Sequence, residues 1–297
     1  MLDRTSVGGD TFSMMRLLPF LLPFLLAVAA TPAAAQGVPE WNPNDVEVDM
    51  ELLLLVDVSR SMAPRELEIQ RRGYAEALTS DAVLNVIGDG FLGHIAVSYV
   101  EWAGVYSQRT VVDWTIIGSL GDAQDFARTL TTHSGTGMRR TSISGALRAG
   151  ADLFDGNGYQ GLRRVIDISG DGPNNEGSPV SMARDEVVAR GITVNGLPLM
   201  TQDGMGGQWH LEDLDQYYAN CVIGGPGSFM IPVTDWDEFA AAVRRKLVLE
   251  IAGRMPPVPE FPRPAGPDRV IPTQGAAAYD CLVGEKIWQR YRDSWEP

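Results

Sequence analysis

The chain has 297 residues, 44% hydrophobic and 21% charged, which is enough for one large globular domain with a sizeable core. Its formal net charge is −14, from 38 acidic and 24 basic residues, so phosphate backbones and anionic lipid repel it, and nucleic-acid and membrane-surface roles are disfavoured. Two cysteines, Cys221 and Cys281, are too few for a disulfide scaffold or a thiolate metal cluster.

The N-terminus reads as an export signal. Arg16 precedes a mostly apolar stretch at 17–30, and Thr31, Pro32 and Ala33 to Ala35 supply small residues for cleavage after Ala35. A membrane span needs about 20 apolar residues, and Pro19 and Pro23 interrupt this one. Met14 or Met15 is an alternative start to Met1. With residues 1–35 removed and no cysteine near the cut, we expect no stable membrane anchor and a periplasmic or extracellular protein. Residues 36–45 then form a polar leader, 46–253 the domain, and 254–297 a proline-rich tail.

Within the domain, Leu52 to Val56 is apolar without a break, the pattern of a strand buried on both faces of a parallel sheet. Strand one covers about 51–58. A helix over 64–83 follows, with Leu67, Tyr74, Leu78 and Val83 near helical spacing and Pro64 in its first turn. Alternation of Ile95, Val97 and Tyr99 marks strand two at 94–102, joined through a hairpin at Gly104 to strand three at 110–117. Short helices at 122–130 and 144–154 flank a polar loop at 131–140. Strand four lies at 164–169, a helix at 180–189, strand five at 192–197, a helix at 211–220 and strand six at 229–233. Phe239, Val243, Leu247 and Ile251 set a closing helix over 236–251. The tail is irregular until 276–295.

Strands alternating with helices define an α/β fold: a doubly wound, mostly parallel six-stranded sheet with helices on both faces. Ligands of such sheets bind beyond the carboxyl ends of the strands, where strand order reverses. Asp57 ends strand one and Asp171 ends strand four, so the two carboxylates meet there if those strands are neighbours. Asp57, Ser59 and Ser61, spaced by two, aim hard oxygen atoms at one point, which suits Mg²⁺, Mn²⁺ or Ca²⁺. The same triplet also serves as a cap for the following helix.

These residues carry a resemblance. Asp57-x-Ser59-x-Ser61 after an apolar strand, Thr141 six residues before Leu147, and Asp171-Gly172 after another strand resemble the metal-ion-dependent adhesion site of von Willebrand factor type A domains. The wording of residues 165–175 and 221–227 also looks like a group of exported bacterial proteins of this type. The resemblance implies that Ser59 and Ser61 ligate Mg²⁺ (alternatively Mn²⁺ or Ca²⁺) directly, Thr141 directly or through water, and that Asp57 and Asp171 supply charge. It also implies a protein partner that offers an acidic side chain to the metal, and coupling of the site to the closing helix. Ser169 and Gly170 depart from the family, where a hydrophobe and threonine are commoner.

The function expected is therefore a non-enzymatic, exported, metal-dependent binding module. The alternatives are a domain in which the metal only stabilises loops, and a metal-dependent hydrolase. No Gly-x-Ser-x-Gly pentapeptide or phosphate-binding glycine loop occurs, and His94, His133 and His210 lie on separate elements. Met200, Met205 and Trp209, on the loop after strand five, suit partner contact or local packing. In an oxidising compartment Cys221 and Cys281 are expected to form a disulfide tying the tail to the domain.

Overall fold

The computed structural model describes residues 42–201, 211–254 and 279–294. The export segment, most of the leader, Met205, Trp209, His210 and the proline-rich part of the tail lie outside them.

The strands are β1 (Val46–Val48), β2 (Glu51–Asp57), β3 (Ile95–Trp102), β4 (Gln108–Ile117), β5 (Tyr159–Gly161), β6 (Arg164–Gly170) and β7 (Ile192–Pro198). The main sheet has five strands in the order β4–β3–β2–β6–β7, and β1 and β5 form a separate two-stranded parallel pair. β3, β2, β6 and β7 run parallel, while β4 pairs antiparallel with β3 through the hairpin at Gly104. The sheet is therefore mixed.

The sixth strand expected at 229–233 does not join it as a strand. That segment lies beside β7 through isolated bridges from Met230 to Gly196 and from Val233 to Leu199. The Ile231 and Val233 N–H groups donate to the Gly196 and Pro198 carbonyls, but Pro198 of β7 has no N–H to return to Ile231, so the ladder breaks there.

The unbroken apolar run of β2 is explained by two cores. Leu52, Leu54 and Val56 face one cluster, with Tyr74, Leu78, Phe126, Phe239 and Leu247. Leu53 and Leu55 face the other, with Trp102, Leu147, Ile166, Ile168 and Tyr218. The first face is covered by α1 (Pro64–Leu78), α2 (Asp81–Gly88), α3 (Leu120–Thr132) and α7 (Phe239–Ile251), and the second by α4 (Ile143–Asp152), α5 (Val180–Ala189) and residues 214–222.

The helix expected over 64–83 is two helices. Thr79 hydroxyl donates to the Ala75 carbonyl at 2.8 Å, and the Ser80 hydroxyl accepts the Val83 N–H at 3.4 Å, capping a new helix. The helix expected at 211–220 contracts to one turn, α6 (Leu214–Tyr217), followed by a π-helical turn at Tyr218–Val222. In the tail, α8 (Val283–Asp293) is helical, and Cys221 and Cys281 form a disulfide.

Candidate metal centre

β2 and β6 are hydrogen-bonded neighbours, with Val56 opposite Ser169. β2 leads out to β3 on one side and β6 to β7 on the other, so the reversal of strand order falls between them. Asp57 and Asp171 leave the carboxyl ends of these two strands, at the place the sequence points to.

Asp57 is fully buried. Its Oδ1 accepts the Ser59 N–H at 2.6 Å, while Oδ2 has no hydrogen-bond partner. The Ser59 and Ser61 hydroxyls are 2.9 Å apart, and Ser61 donates to Asp171 Oδ1 at 2.8 Å. Four of the five expected residues thus form one connected cluster. Burial, and then the nearby Asp171 carboxylate, push the Asp57 carboxyl well above the usual range, against hydrogen bonding from Ser59.

Thr141 is held through its backbone by Asn175, four residues after Asp171. Its N–H donates to Asn175 Oδ1 at 3.1 Å, and its carbonyl accepts the Asn175 N–H at 2.9 Å. The loop before it bridges Ser59, where the Met138 N–H donates to the Val58 carbonyl at 2.7 Å. Ser142, next in sequence, caps α4 by accepting the Gly145 N–H at 3.1 Å. Thr141 is nearly buried, and Ser61 and Asp171 are half-buried.

Two residues that sequence reasoning left as loop hold this arrangement. Asn175 grips Thr141, and Asn174, fully buried, accepts the Ser144 N–H on Oδ1 at 3.0 Å and donates its own N–H to the Tyr217 hydroxyl at 3.1 Å. Their signal was the Asn-Asn pair directly after Asp171-Gly172-Pro173, because Asn side chains bind backbone and tolerate turns. The departure at Gly170 also has a cause. A Cβ there would meet the Tyr218 hydroxyl at 2.9 Å and Asp57 Oδ2 at 3.0 Å, so any side chain would push into the cluster.

A second feature at the rim was missed. Glu101, buried at the end of β3, accepts Arg71 Nε at 2.8 Å and Arg109 Nε at 3.2 Å, and Arg71 also donates to the Gly135 carbonyl at 3.0 Å. Two guanidinium groups on one carboxylate leave a local excess of positive charge. Arg60, Arg139 and Arg140, each next in sequence to an expected ligand or one residue further on, are exposed.

His94 and His133, the histidines among the described residues, do not converge. His94 Nε2 bonds the Glu47 carbonyl at 2.8 Å, and His133 lies 3.6 Å from Glu101. Among the described residues no group of three or more His, Cys, Asp or Glu side chains is arranged to hold a metal. What the cluster offers instead is the carboxylates of Asp57 and Asp171 and the hydroxyls of Ser59 and Ser61, hard oxygens of the kind that suits Mg²⁺, Mn²⁺ or Ca²⁺. The orphaned, buried Asp57 Oδ2 beside a second carboxylate fits such a cation.

This α/β fold has counterparts among solved structures. In structure, proximal thread matrix protein 1 of the mussel byssus matches over 70% of this chain and 49% of its own, at 16% identity and TM-score 0.52. The pilus adhesin SpaC from Lactobacillus rhamnosus GG matches over 73% of this chain and 31% of its own, at 15% identity and TM-score 0.50. A von Willebrand factor type A structure from Catenulispora acidiphila matches over 69% and 43%, at 10% identity and TM-score 0.48. This chain spans about half the length of the first structure and a third of the second. At such identities the likeness is one of fold. Residues 47–255 match the family described as "Protein of unknown function (DUF1194)", and the chain belongs to that family. No curated protein matches it significantly.

Proposed function

We propose that this protein is an exported, divalent-metal-dependent protein-binding module. The observation that carries this reading is Asp57: a fully buried carboxylate with an unpartnered oxygen, joined through Ser59 and Ser61 to Asp171 at the sheet's reversal point.

Ser59, Ser61 and Thr141 would hold Mg²⁺ (alternatively Mn²⁺ or Ca²⁺) with hydroxyl oxygens, and Asp57 and Asp171 would balance its charge. When bound, the cation supplies an electrophilic position for an anionic oxygen. Two exposed arginines close in sequence to these residues, Arg60 and Arg139, favour a carboxylate-bearing partner. That the structural neighbours include a pilus adhesin supports an adhesive or interaction role. The module acts by binding, not catalysis. Export is supported by the Cys221–Cys281 disulfide and by the apolar stretch at 17–30 that precedes a small-residue cleavage site. Among the described residues no helix is long and apolar enough to cross a membrane.

The test is capture from the exported proteins of the native host. The wild type in millimolar Mg²⁺ should retain a partner that chelator releases, and Asp57→Ala should not retain it. Equal capture by both proteins, or capture that chelator leaves unchanged, contradicts the reading.

A further inference from the structure

The C-terminal helix α8 is not a loose appendage. Cys281, just before it, is bonded to Cys221, and the Tyr279 hydroxyl donates to Asp213 Oδ2 at 3.0 Å. This anchorage seats α8 on the two loops that carry Thr141 and Asp171.

Three contacts make the seat. Asn174, three residues after Asp171, donates its Nδ2 to Glu285 Oε1 at 2.7 Å. Gly284 lies so close to the same loop that a Cβ would overlap the Asn174 carbonyl oxygen, which is backbone and cannot rotate away. On the other side, the Arg140 guanidinium stands 3.9 Å from the centroid of the Trp288 ring, and Trp288 stacks on Tyr291. Arg140 immediately precedes Thr141 and has φ +75°, the one non-glycine residue with positive φ among the described residues. A side-chain-bearing residue holds that conformation only where its surroundings determine it. Its side chain is held between Trp288 on one side and Glu176, 3.9 Å away, on the other.

We propose that α8 is a disulfide-anchored clamp on the metal centre, with Gly284, Glu285 and Trp288 as positioning residues that fix the Thr141 and Asp171 loops for ligation. This rests on the metal-binding reading above. It goes beyond it in assigning control of the centre's geometry to a helix outside the sheet domain. The contacts explain why a segment separated from the domain by a proline-rich stretch carries a cysteine of its own.

The clamp is tested on the full chain with the disulfide intact, in wild type, Gly284→Ala, Trp288→Ala and Trp288→Phe. Alanine at 284 favours the helix itself while blocking its seat, so it separates helix formation from docking. Hydrogen exchange in metal-free protein should rise in peptides covering 136–141 and 171–177 for Gly284→Ala and Trp288→Ala. Mn²⁺ affinity, by calorimetry, should fall on the order of 10-fold, as for other groups that orient metal ligands. Trp288→Phe, which keeps a ring under Arg140, should restore both readouts while melting in chelator stays near the wild-type value. If exchange rises within 283–293 but not in the two loops, and Mn²⁺ affinity is unchanged, the clamp is wrong. Wild-type protein that binds no Mn²⁺ would overturn the metal reading and, with it, the clamp's role in ligation; the exchange data would still report whether α8 orders the loops.

Discussion

Lys246 of α7 and Asp167 in the middle of β6 form an ion pair at 2.7 Å, with both side chains inaccessible to solvent. Glu250, one turn further along α7, also bonds the Lys246 ammonium and accepts Asn195 Nδ2 at 2.8 Å. One cation therefore sits between two buried carboxylates. Arg163 adds hydrogen bonds to the carbonyls of Glu250 and Ile251 at 2.8 and 2.7 Å, so the C-terminal turn of the closing helix is fixed to the sheet.

Removing the cation leaves both carboxylates buried without it. Lys246→Ala should destabilise the domain by about 3–5 kcal/mol, which is on the order of 10 °C in melting temperature for a domain near this size. A thermal melt at neutral pH measures it. A change within a degree or two of wild type would show that Asp167 and Glu250 do not depend on Lys246.

The same triad sets a pH dependence. Burial, then Asp167, push the Glu250 carboxyl up to about 7 against Lys246, and burial also raises Asp167. A native-state value above the ordinary 4.5 means that the folded protein holds the proton more tightly than the unfolded chain. The stabilisation from that proton is full below 4.5 and is lost as pH rises through about 7. Glu250→Gln cannot lose a proton, so the wild-type melting temperature should fall relative to this variant between pH 5 and 8. A constant difference across that range contradicts the assignment.

The disulfide predicts its own deletion. Closing a loop of 60 residues stabilises by about 4 kcal/mol on the chain-entropy model. Denatured, unreduced protein should show no free thiol on titration, and Cys221→Ser with Cys281→Ser should melt well below wild type. Two titratable thiols would remove the tether from the account.

Asn175 should govern metal affinity without being a ligand. Asn175→Ala loses the acceptor for the Thr141 N–H, whereas Asn175→Asp keeps one. Mn²⁺ affinity should drop on the order of 10-fold in the first and recover in the second, by the same logic as other groups that orient ligands. Equal affinities in wild type and Asn175→Ala would show that Thr141 is positioned by other means.

What could be read from the chain was what local pattern dictates. Leu52 to Val56 is legible as a doubly buried strand because a parallel strand covered on both faces must be apolar throughout. Asp57 and Asp171 are legible as partners because right-handed crossovers place their strands side by side at the reversal. The rest depends on contacts distant in sequence. Residues 229–233 carry a strand's composition, and the missing N–H of Pro198 on β7 interrupts the ladder between them. The two strands of three residues, β1 and β5, are too short to show a period. Lys246 reads as an ordinary surface charge beside Val243 and Leu247. Its burial is forced by Asp167, whose place inside the apolar run of β6 called for a buried cation. Asn174 and Asn175 look like turn residues until the loop they hold is seen against Thr141 and α8.

The central claim is that Asp57, Ser59, Ser61, Thr141 and Asp171 bind a divalent cation once the sheet brings their three segments together. Such a cation binds the native state far better than the unfolded chain. At free Mg²⁺ about a hundredfold above its dissociation constant, it stabilises by roughly 2.7 kcal/mol, or on the order of 5–10 °C in melting temperature. The decisive measurement is a thermal melt in chelator and in millimolar Mg²⁺ or Mn²⁺. The wild type and Asp185→Ala, exposed on α5, should both show the shift, and Asp57→Ala should show none. A wild type that melts at one temperature in both solutions, or an Asp57→Ala variant that keeps the shift, would contradict the metal centre and the binding mechanism built on it.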